Sequence, residues 1–363
     1  MRRIYNFSAG PAILPVSVLE EASRAVLDYE GSGMSILEVS HRGKHYDRVH
    51  GETMALILRV LGLSADEYAV IFAGGGASLQ FTMLPMNFLG QGQVADYVDS
   101  GEWGSKAAKE GQRLGTVNIA GSSAATKYDR LPRDLHLSPK GVARYVHITT
   151  NNTIEGTEYF DLPATNGASL IGDVSSDIFA IDRDYSRFDL LYAGAQKNAG
   201  PAGVTMVIVR REFLETATKD VAPMLSYRVQ AEKESLYNTP PVFPIYVLGL
   251  VAKWIAAEGG VKAIDARNRE KAGLIYAALD AAPDLYRPVV AEKGDRSLMN
   301  ITFRLRDEAL EKELIAETKA ADMDGLPGHR NVGGLRASIY NAFPREGCQA
   351  LADLLTDFAR RKG

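Results

Sequence analysis

The sequence is poor in cysteine, poor in tryptophan and free of long apolar runs. Cys348 is the only cysteine among 363 residues, so no disulfide forms within the chain, and a reducing compartment such as the cytoplasm is expected. The most apolar stretch, Val242 to Ala257, contains Pro244 and Lys253 and is too short to cross a bilayer. The opening from Met1 to Pro15 has no apolar core followed by a small-residue cleavage site, so no secretory leader is expected. An excess of one charge is also missing. The formal net charge is −4, which argues against non-specific binding to nucleic acid or anionic membrane but leaves room for a local basic pocket.

What is present is the profile of a globular protein with a sizeable core, 46% hydrophobic and 24% charged. The length suits one large domain plus a smaller one. Short apolar runs recur at Ala69–Ala73, Val94–Val98, Tyr145–Thr149, Ser169–Asp173, Asp189–Ala193 and Val204–Val209. They are apolar on both faces, as strands between two helical layers are, so an α/β domain with a mostly parallel sheet is predicted. A first helix is predicted after Pro15, with Val18, Leu19, Ala22, Ala25, Val26 and Tyr29 on one stripe. The stretch Gly121–Gly141 is polar and loop-like. Past Glu258-Gly259-Gly260 a smaller α+β unit is predicted, with a helix over Ile264–Ala281 and a strand over Ser297–Leu305. A helix carrying Leu310, Leu314 and Ile315 follows, then a strand over Leu335–Tyr340. The last helix aligns Cys348, Leu351, Leu354, Leu355 and Phe358. The predicted division is therefore an N-terminal segment 1–15, a large domain 16–258 and a small domain 259–363.

Several local patterns carry chemistry. Gly74-Gly75-Gly76-Ala77-Ser78 lies between a strand run and a helical pattern, where backbone N–H groups can approach a phosphate. It is neither a P-loop nor a dinucleotide fingerprint, and a plain strand-to-helix turn is the competing reading. Asp173 ends an apolar strand run, where α/β proteins place ligands, or else caps a helix. Lys197 follows the run Asp189–Ala193 and is hemmed in by small residues. Burial there would lower its pKa and make it a usable nucleophile. One strand–crossover–strand step separates the two, and a pyridoxal enzyme needs such a pair, an acid for the pyridine nitrogen and a lysine for the aldehyde. Trp103, in the glycine-flanked loop Ser100–Gly104, could stack on a planar cofactor, or fill a core or lid. Arg42 beside His41, and Arg336 after His329-Arg330, sit among glycines as candidate anion sites, against ordinary surface charge. His41, His45 and His50 have no cysteine or acidic cluster at metal spacing, so no zinc site is expected.

Six segments taken together carry a resemblance. They are Asn6-Phe-Ser-Ala-Gly-Pro-Ala12, Glu38-Val-Ser-His-Arg-Gly-Lys44, Ala73-Gly-Gly-Gly-Ala-Ser-Leu-Gln-Phe81, Tyr192–Gly203, Asn238-Thr-Pro-Pro241 and Gly328–Asn341. In order and spacing the chain resembles the phosphoserine aminotransferase family, within the class V aminotransferases. The resemblance implies a fold-type I pyridoxal-phosphate-dependent transferase, with a large domain whose mostly parallel mixed sheet lies between helices and a smaller C-terminal α+β domain. It implies pyridoxal 5'-phosphate as cofactor and transfer of the amino group of L-glutamate to 3-phosphohydroxypyruvate, giving O-phospho-L-serine and 2-oxoglutarate. Residue by residue, Lys197 carries the cofactor aldehyde, Asp173 pairs with the pyridine nitrogen and Trp103 stacks on the ring. Thr153 bonds the phenolic oxygen, and Gly76, Ala77, Ser78 and Gln196 hold the phosphate. Asn238 and Thr239 reach in from the other subunit of a homodimer, with Val242–Ala257 as candidate interface surface. Arg336 takes the α-carboxylate, and His41, Arg42, His329 and Arg330 read the distal anion. One branch of the family carries an arginine in the glycine-rich segment near Ala77; this chain resembles the branch without it. The rivals are other class V enzymes, such as an alanine–glyoxylate transaminase or a cysteine desulfurase, and a nucleotide-binding α/β protein.

Overall fold

The predicted apolar runs become strands because their side chains find apolar partners on both faces. The computed structural model describes residues 3–330 and 332–363. Its strands are β1 (Tyr5–Asn6), β2 (Tyr68–Ala73), β3 (Val94–Asp99), β4 (Thr116–Ser122), β5 (Ala143–Thr149), β6 (Ser169–Asp173), β7 (Leu190–Gly194), β8 (Thr205–Arg210), β9 (Tyr286–Pro288), β10 (Asn300–Leu305), β11 (Met323–Asp324) and β12 (Leu335–Ser338). The central sheet has the order β2-β8-β7-β6-β5-β3-β4. Only β8 is antiparallel to its neighbours; the rest run one way.

Alternation along β2 shows how the two layers are fed. Val70 and Phe72 join the apolar cluster under the helices Val16–Leu27, Lys44–Val60 and Val242–Ala257. Ala69 and Ile71 join the opposite cluster, with Phe81, Leu84 and Phe88 of the helix Gly76–Phe88. Ile71, Val207 and Ile208 are fully buried; each such side chain contributes roughly 1.5–3 kcal/mol.

The small unit stacks the helices Gly260–Asp280 and Arg345–Lys362 on the antiparallel sheet β12-β10-β9. Its apolar cluster includes Phe7 and Ile13 from the start of the chain, and β1 pairs in parallel with β11, Tyr5 opposite Met323. The described part of the N-terminal segment is thus built into the C-terminal unit.

Three expectations are corrected. Leu19 is 40% exposed, whereas Val18, Ala22, Ala25 and Tyr29 are buried; the helix Val16–Leu27 buries a narrower stripe than its sequence offers. The polar stretch opens inside a strand, because β4 runs to Ser122 as an edge strand whose outer face needs no apolar residues. The helix Val242–Ala257, expected as candidate interface surface, is largely core within its own chain. Eight of its residues, from Ile245 to Ile255, are buried within the chain, where it packs on the helix Lys44–Val60. His50 turns inward, with Nε2 2.7 Å from the Glu234 carbonyl and Nδ1 3.1 Å from the Tyr46 hydroxyl. Among the described residues no single helix is long and apolar enough to cross a membrane.

Candidate active site

Because β2, β3, β5, β6 and β7 run in one direction, their carboxyl ends share one edge of the sheet. The chain leaving that edge carries Gly76, Ala77 and Ser78 after β2, Trp103 after β3 and Thr153 after β5. Asp173 is the last residue of β6, and Gln196 and Lys197 follow β7. Residues scattered over more than a hundred positions become neighbours, at the place where open α/β sheets bind ligands.

Lys197 is the centre of the group. Its Nζ donates to Thr153 Oγ1 at 2.6 Å and lies 5.9 Å from the centre of the Trp103 ring. Burial brings the amine down to about 8; Asp173 opposes this and Arg336 adds to it. At pH 7 roughly a tenth of such an amine is neutral, against a few parts in ten thousand for an ordinary lysine. The segment Asn6–Ala12 closes over this region. The Ala12 N–H donates to the Gln196 carbonyl at 2.9 Å, and the Tyr340 hydroxyl donates to the Ala9 carbonyl at 2.6 Å. A side chain at Gly10 would sit against Lys197 Cγ at 3.4 Å, and its φ of 143° is one that only glycine adopts freely.

Asp173 caps no helix: after β6 the chain makes turns, and the next helical turn begins at Tyr185. Its Oδ1 accepts two bonds from Ser175, 2.6 Å from the hydroxyl and 3.0 Å from the backbone N–H. Ser175 Oγ in turn accepts the Gly194 N–H at 3.1 Å, tying the carboxylate to β7. Burial pushes the carboxyl up, while Lys197 and the Ser175 bonds pull it down. Sequence reasoning missed Ser175; the signal was a hydroxyl two residues after an aspartate, the spacing of a side-chain-to-backbone turn.

Arg336, on β12, reaches across from the small unit. Its Nη1 donates to the Thr153 carbonyl at 3.1 Å, and its Nε is buried without a partner among the described residues. Trp103 lies in the first turn of the helix Glu102–Gly111, not in a loop, and its indole Nε1 is likewise buried and unpartnered. Half-buried His329 has its pKa lowered by burial and by the charges of Arg336 and Arg330, which places it beside the group. Arg330 is exposed, as are Arg42, Asn238 and Thr239, and His41 is half-buried. Asn238 Nδ2 donates to the Thr239 carbonyl at 3.0 Å. None of His41, Arg42, Asn238 or Thr239 hydrogen-bonds or ion-pairs with Lys197, Asp173, Thr153 or Arg336 of the same chain. A cavity of about 810 Å3 opens beside the group rather than over Lys197, with Glu102, Tyr128, Glu155 and Arg304 in its walls.

The model of the class-V aminotransferases matches residues 4–351. A phosphoserine aminotransferase from Desulfosudis oleivorans is 50% identical over 364 aligned positions, covering 100% of this chain and 99% of the relative. The chain belongs to the phosphoserine aminotransferase family. The solved phosphoserine aminotransferase of Bacillus circulans subsp. alkalophilus superposes with a TM-score of 0.96 at 49% identity, covering 99% of each chain. That of Trichomonas vaginalis, solved with pyridoxal phosphate bound, has a TM-score of 0.91 at 35% identity, covering 97% of this chain and 99% of that one. The sheet order and the small antiparallel unit described above are therefore the family's fold.

Proposed function

We propose that this chain is a pyridoxal-phosphate-dependent transaminase that moves the amino group of L-glutamate to 3-phosphohydroxypyruvate, giving O-phospho-L-serine and 2-oxoglutarate. The observation that carries it is the buried amine of Lys197, bonded to Thr153 Oγ1 and set among Asp173, Arg336 and the Trp103 ring. The residues fit the cofactor. Bound pyridoxal phosphate supplies an aldehyde that condenses with amines and an electron sink for the charge left when a Cα proton is removed. Lys197 would hold the aldehyde and, once displaced by substrate, would take the Cα proton on Nζ. Asp173, oriented by Ser175, would pair with the ring nitrogen and keep it protonated. Trp103 would stack on the ring. The first N–H groups of the helix Gly76–Phe88 have no side-chain cap, and Gly76, Ala77 and Ser78 offer them to the cofactor phosphate, with Gln196 alongside. Thr153 Oγ1, already within reach of Lys197, serves the phenolic oxygen. Two substrates that use one site in turn give ping-pong kinetics.

Arg336 has Nη1 committed to Thr153 and Nε still unpaired, which suits it to a substrate α-carboxylate. His329 and Arg330 flank it and read the distal anion, the phosphate of phosphoserine or the γ-carboxylate of glutamate, together with His41 and Arg42. Arg336→Ala is expected to lower kcat/KM alike for 3-phosphohydroxypyruvate and unphosphorylated hydroxypyruvate. Arg330→Ala and Arg42→Ala are expected to cost about 2–4 kcal/mol of transition-state binding for the phosphorylated acid alone. Equal losses on both substrates in the last two variants would remove them from the distal site.

The exposure of Asn238 and Thr239 in one chain supports a homodimer in which they complete the neighbour's phosphate site. A chain with Lys197→Ala, co-refolded with one altered at Asn238 and Thr239, should form hybrids with one intact site. Activity should then rise clearly above that of either variant alone. Verified hybrids without recovery would mean that each site is built from one chain. The division near residues 258–259 is supported by two largely separate apolar clusters, with Ile264 joining the first and Ala180 and Ile181 the second. The sole cysteine is buried and its thiol pushed up to about 12, which suits neither a desulfurase nucleophile nor an oxidising compartment; we place the protein in the cytoplasm. The same distal-anion chemistry would accept 4-phosphooxy-L-threonine, a route into vitamin B6.

A further inference from the structure

The loop that presents Thr153 also carries an acid, Glu155, to which the reading above gives no task. Glu155 is 4% exposed. Its Oε1 accepts a hydrogen bond of 2.9 Å from the backbone N–H of Glu102, the first residue of the helix Glu102–Gly111. The residue before that helix is Gly101, which offers no capping side chain, so Glu155 satisfies from another loop a donor that an N-cap would otherwise serve. Trp103 is the very next residue.

The other carboxyl oxygen, Oε2, is buried without a partner among the described residues, and so is Asn152 Oδ1. A carbon built on Gly101 would meet both, Asn152 Oδ1 at 2.5 Å and Glu155 Oε2 at 2.8 Å. Two bare acceptors thus converge beside the start of the Trp103 helix. In the orientation found, the Asn152 amide turns its oxygen there, with Nδ2 donating to Thr157 Oγ1 at 2.9 Å and Ser100 Oγ at 3.1 Å. Buried acceptors without a donor are costly. A proton on Glu155 resolves the conflict, since Oε2–H can then donate to Asn152 Oδ1, directly or through one water.

The surroundings favour that proton. Burial raises the carboxyl to about 7; the Glu102 N–H opposes this, and the carboxylates of Glu102 and Asp99 add to the rise. Tyr128 and Arg336 also face it, and Arg336 is the cation that would favour the charged form. We propose that Glu155 is a positioning residue for Trp103: its neutral carboxyl ties the start of the helix Glu102–Gly111 to Asn152, and losing the proton loosens the indole over the bound cofactor. This rests on Trp103 lying on the cofactor as proposed above. An acid raised by burial keeps its proton in the folded chain after the unfolded chain has released it. The tie is therefore complete at low pH and is lost as pH rises through about 7.

Trp254, the other tryptophan, packs in the opposite apolar layer, so Trp254→Phe isolates the emission of Trp103. In that holoenzyme, and in the same chain freed of cofactor, emission is expected to change with a midpoint near pH 7. Glu155→Gln should abolish the change, because glutamine can accept from the Glu102 N–H and donate to Asn152 with no charge to lose. Glu155→Ala is expected to lower kcat/KM roughly tenfold, the scale of a lost helix cap, and Glu155→Gln to restore it to within about threefold of wild type. An absent transition, one that persists in Glu155→Gln, or a glutamine variant as impaired as the alanine variant overturns the proposal. If Trp103→Leu leaves cofactor affinity unchanged, the placement of Trp103 on the cofactor has failed instead, and the emission of the cofactor-free chain still decides whether Glu155 sets the helix start.

Discussion

Replacing Lys197 by alanine is expected to abolish transamination while the chain stays folded. The side chain has two tasks in the proposed reaction, holding the cofactor aldehyde and moving the Cα proton, and among the described residues no second amine bonds Thr153 Oγ1. Lys106 lies over the same indole, with Nζ 4.8 Å from the ring centre, but it ion-pairs with Glu102 at 3.1 Å and is about half exposed, so burial does not make it a comparable base. Losing a positioned general base costs roughly 10²- to 10⁴-fold, and losing the covalent anchor adds to that. A fall in kcat of at least about 10⁴-fold is expected, with an unchanged far-ultraviolet spectrum and thermal unfolding profile as the check on folding. Retention of more than a few per cent of wild-type kcat without added amine would move both tasks to another residue.

Asp173→Asn should leave the cofactor bound but remove the negative charge that keeps its ring nitrogen protonated. The substitution is nearly isosteric, and an amide oxygen can still accept from Ser175, so the local turn survives. What is lost is a counter-charge in a site where burial already works against ionisation and where charges interact more strongly than in water. The expected loss in rate is roughly two to four orders of magnitude, or about 3–5 kcal/mol. Single-turnover measurements with glutamate separate this from a change in affinity. A near-normal rate would reduce Asp173 to a turn-forming residue for Ser175.

How much of this was legible in the sequence depended on the range of the interactions involved. The strand runs β2, β3, β5, β6, β7 and β8 were readable because burial on both faces demands unbroken apolar residues. The edge strand β4 was not, since one side of it meets no core. The resemblance of six short segments assigned roles to Lys197, Asp173, Thr153 and Arg336, and the structure brings these four together. It could not show that Ser175 braces Asp173, or that Trp103 opens a helix rather than sits in a loop. Glu155 stayed invisible because nothing in Asn152-Thr-Ile-Glu-Gly156 states which backbone the acid will meet.

Apolar periodicity thus determined the fold class, and the resemblance of six short segments pointed to the family and to Lys197 as the proposed reactive lysine; all of these rest on residues close together in the chain. Only the tertiary structure decided that Val242–Ala257 is core, that the first strand joins the last unit, and that Arg42, Asn238 and Thr239 stand apart from the Lys197 group of their own chain. Those outcomes depend on which surfaces meet after folding. Apolar area carries no direction, so an apolar helix reads the same whether its own domain or a second subunit covers it.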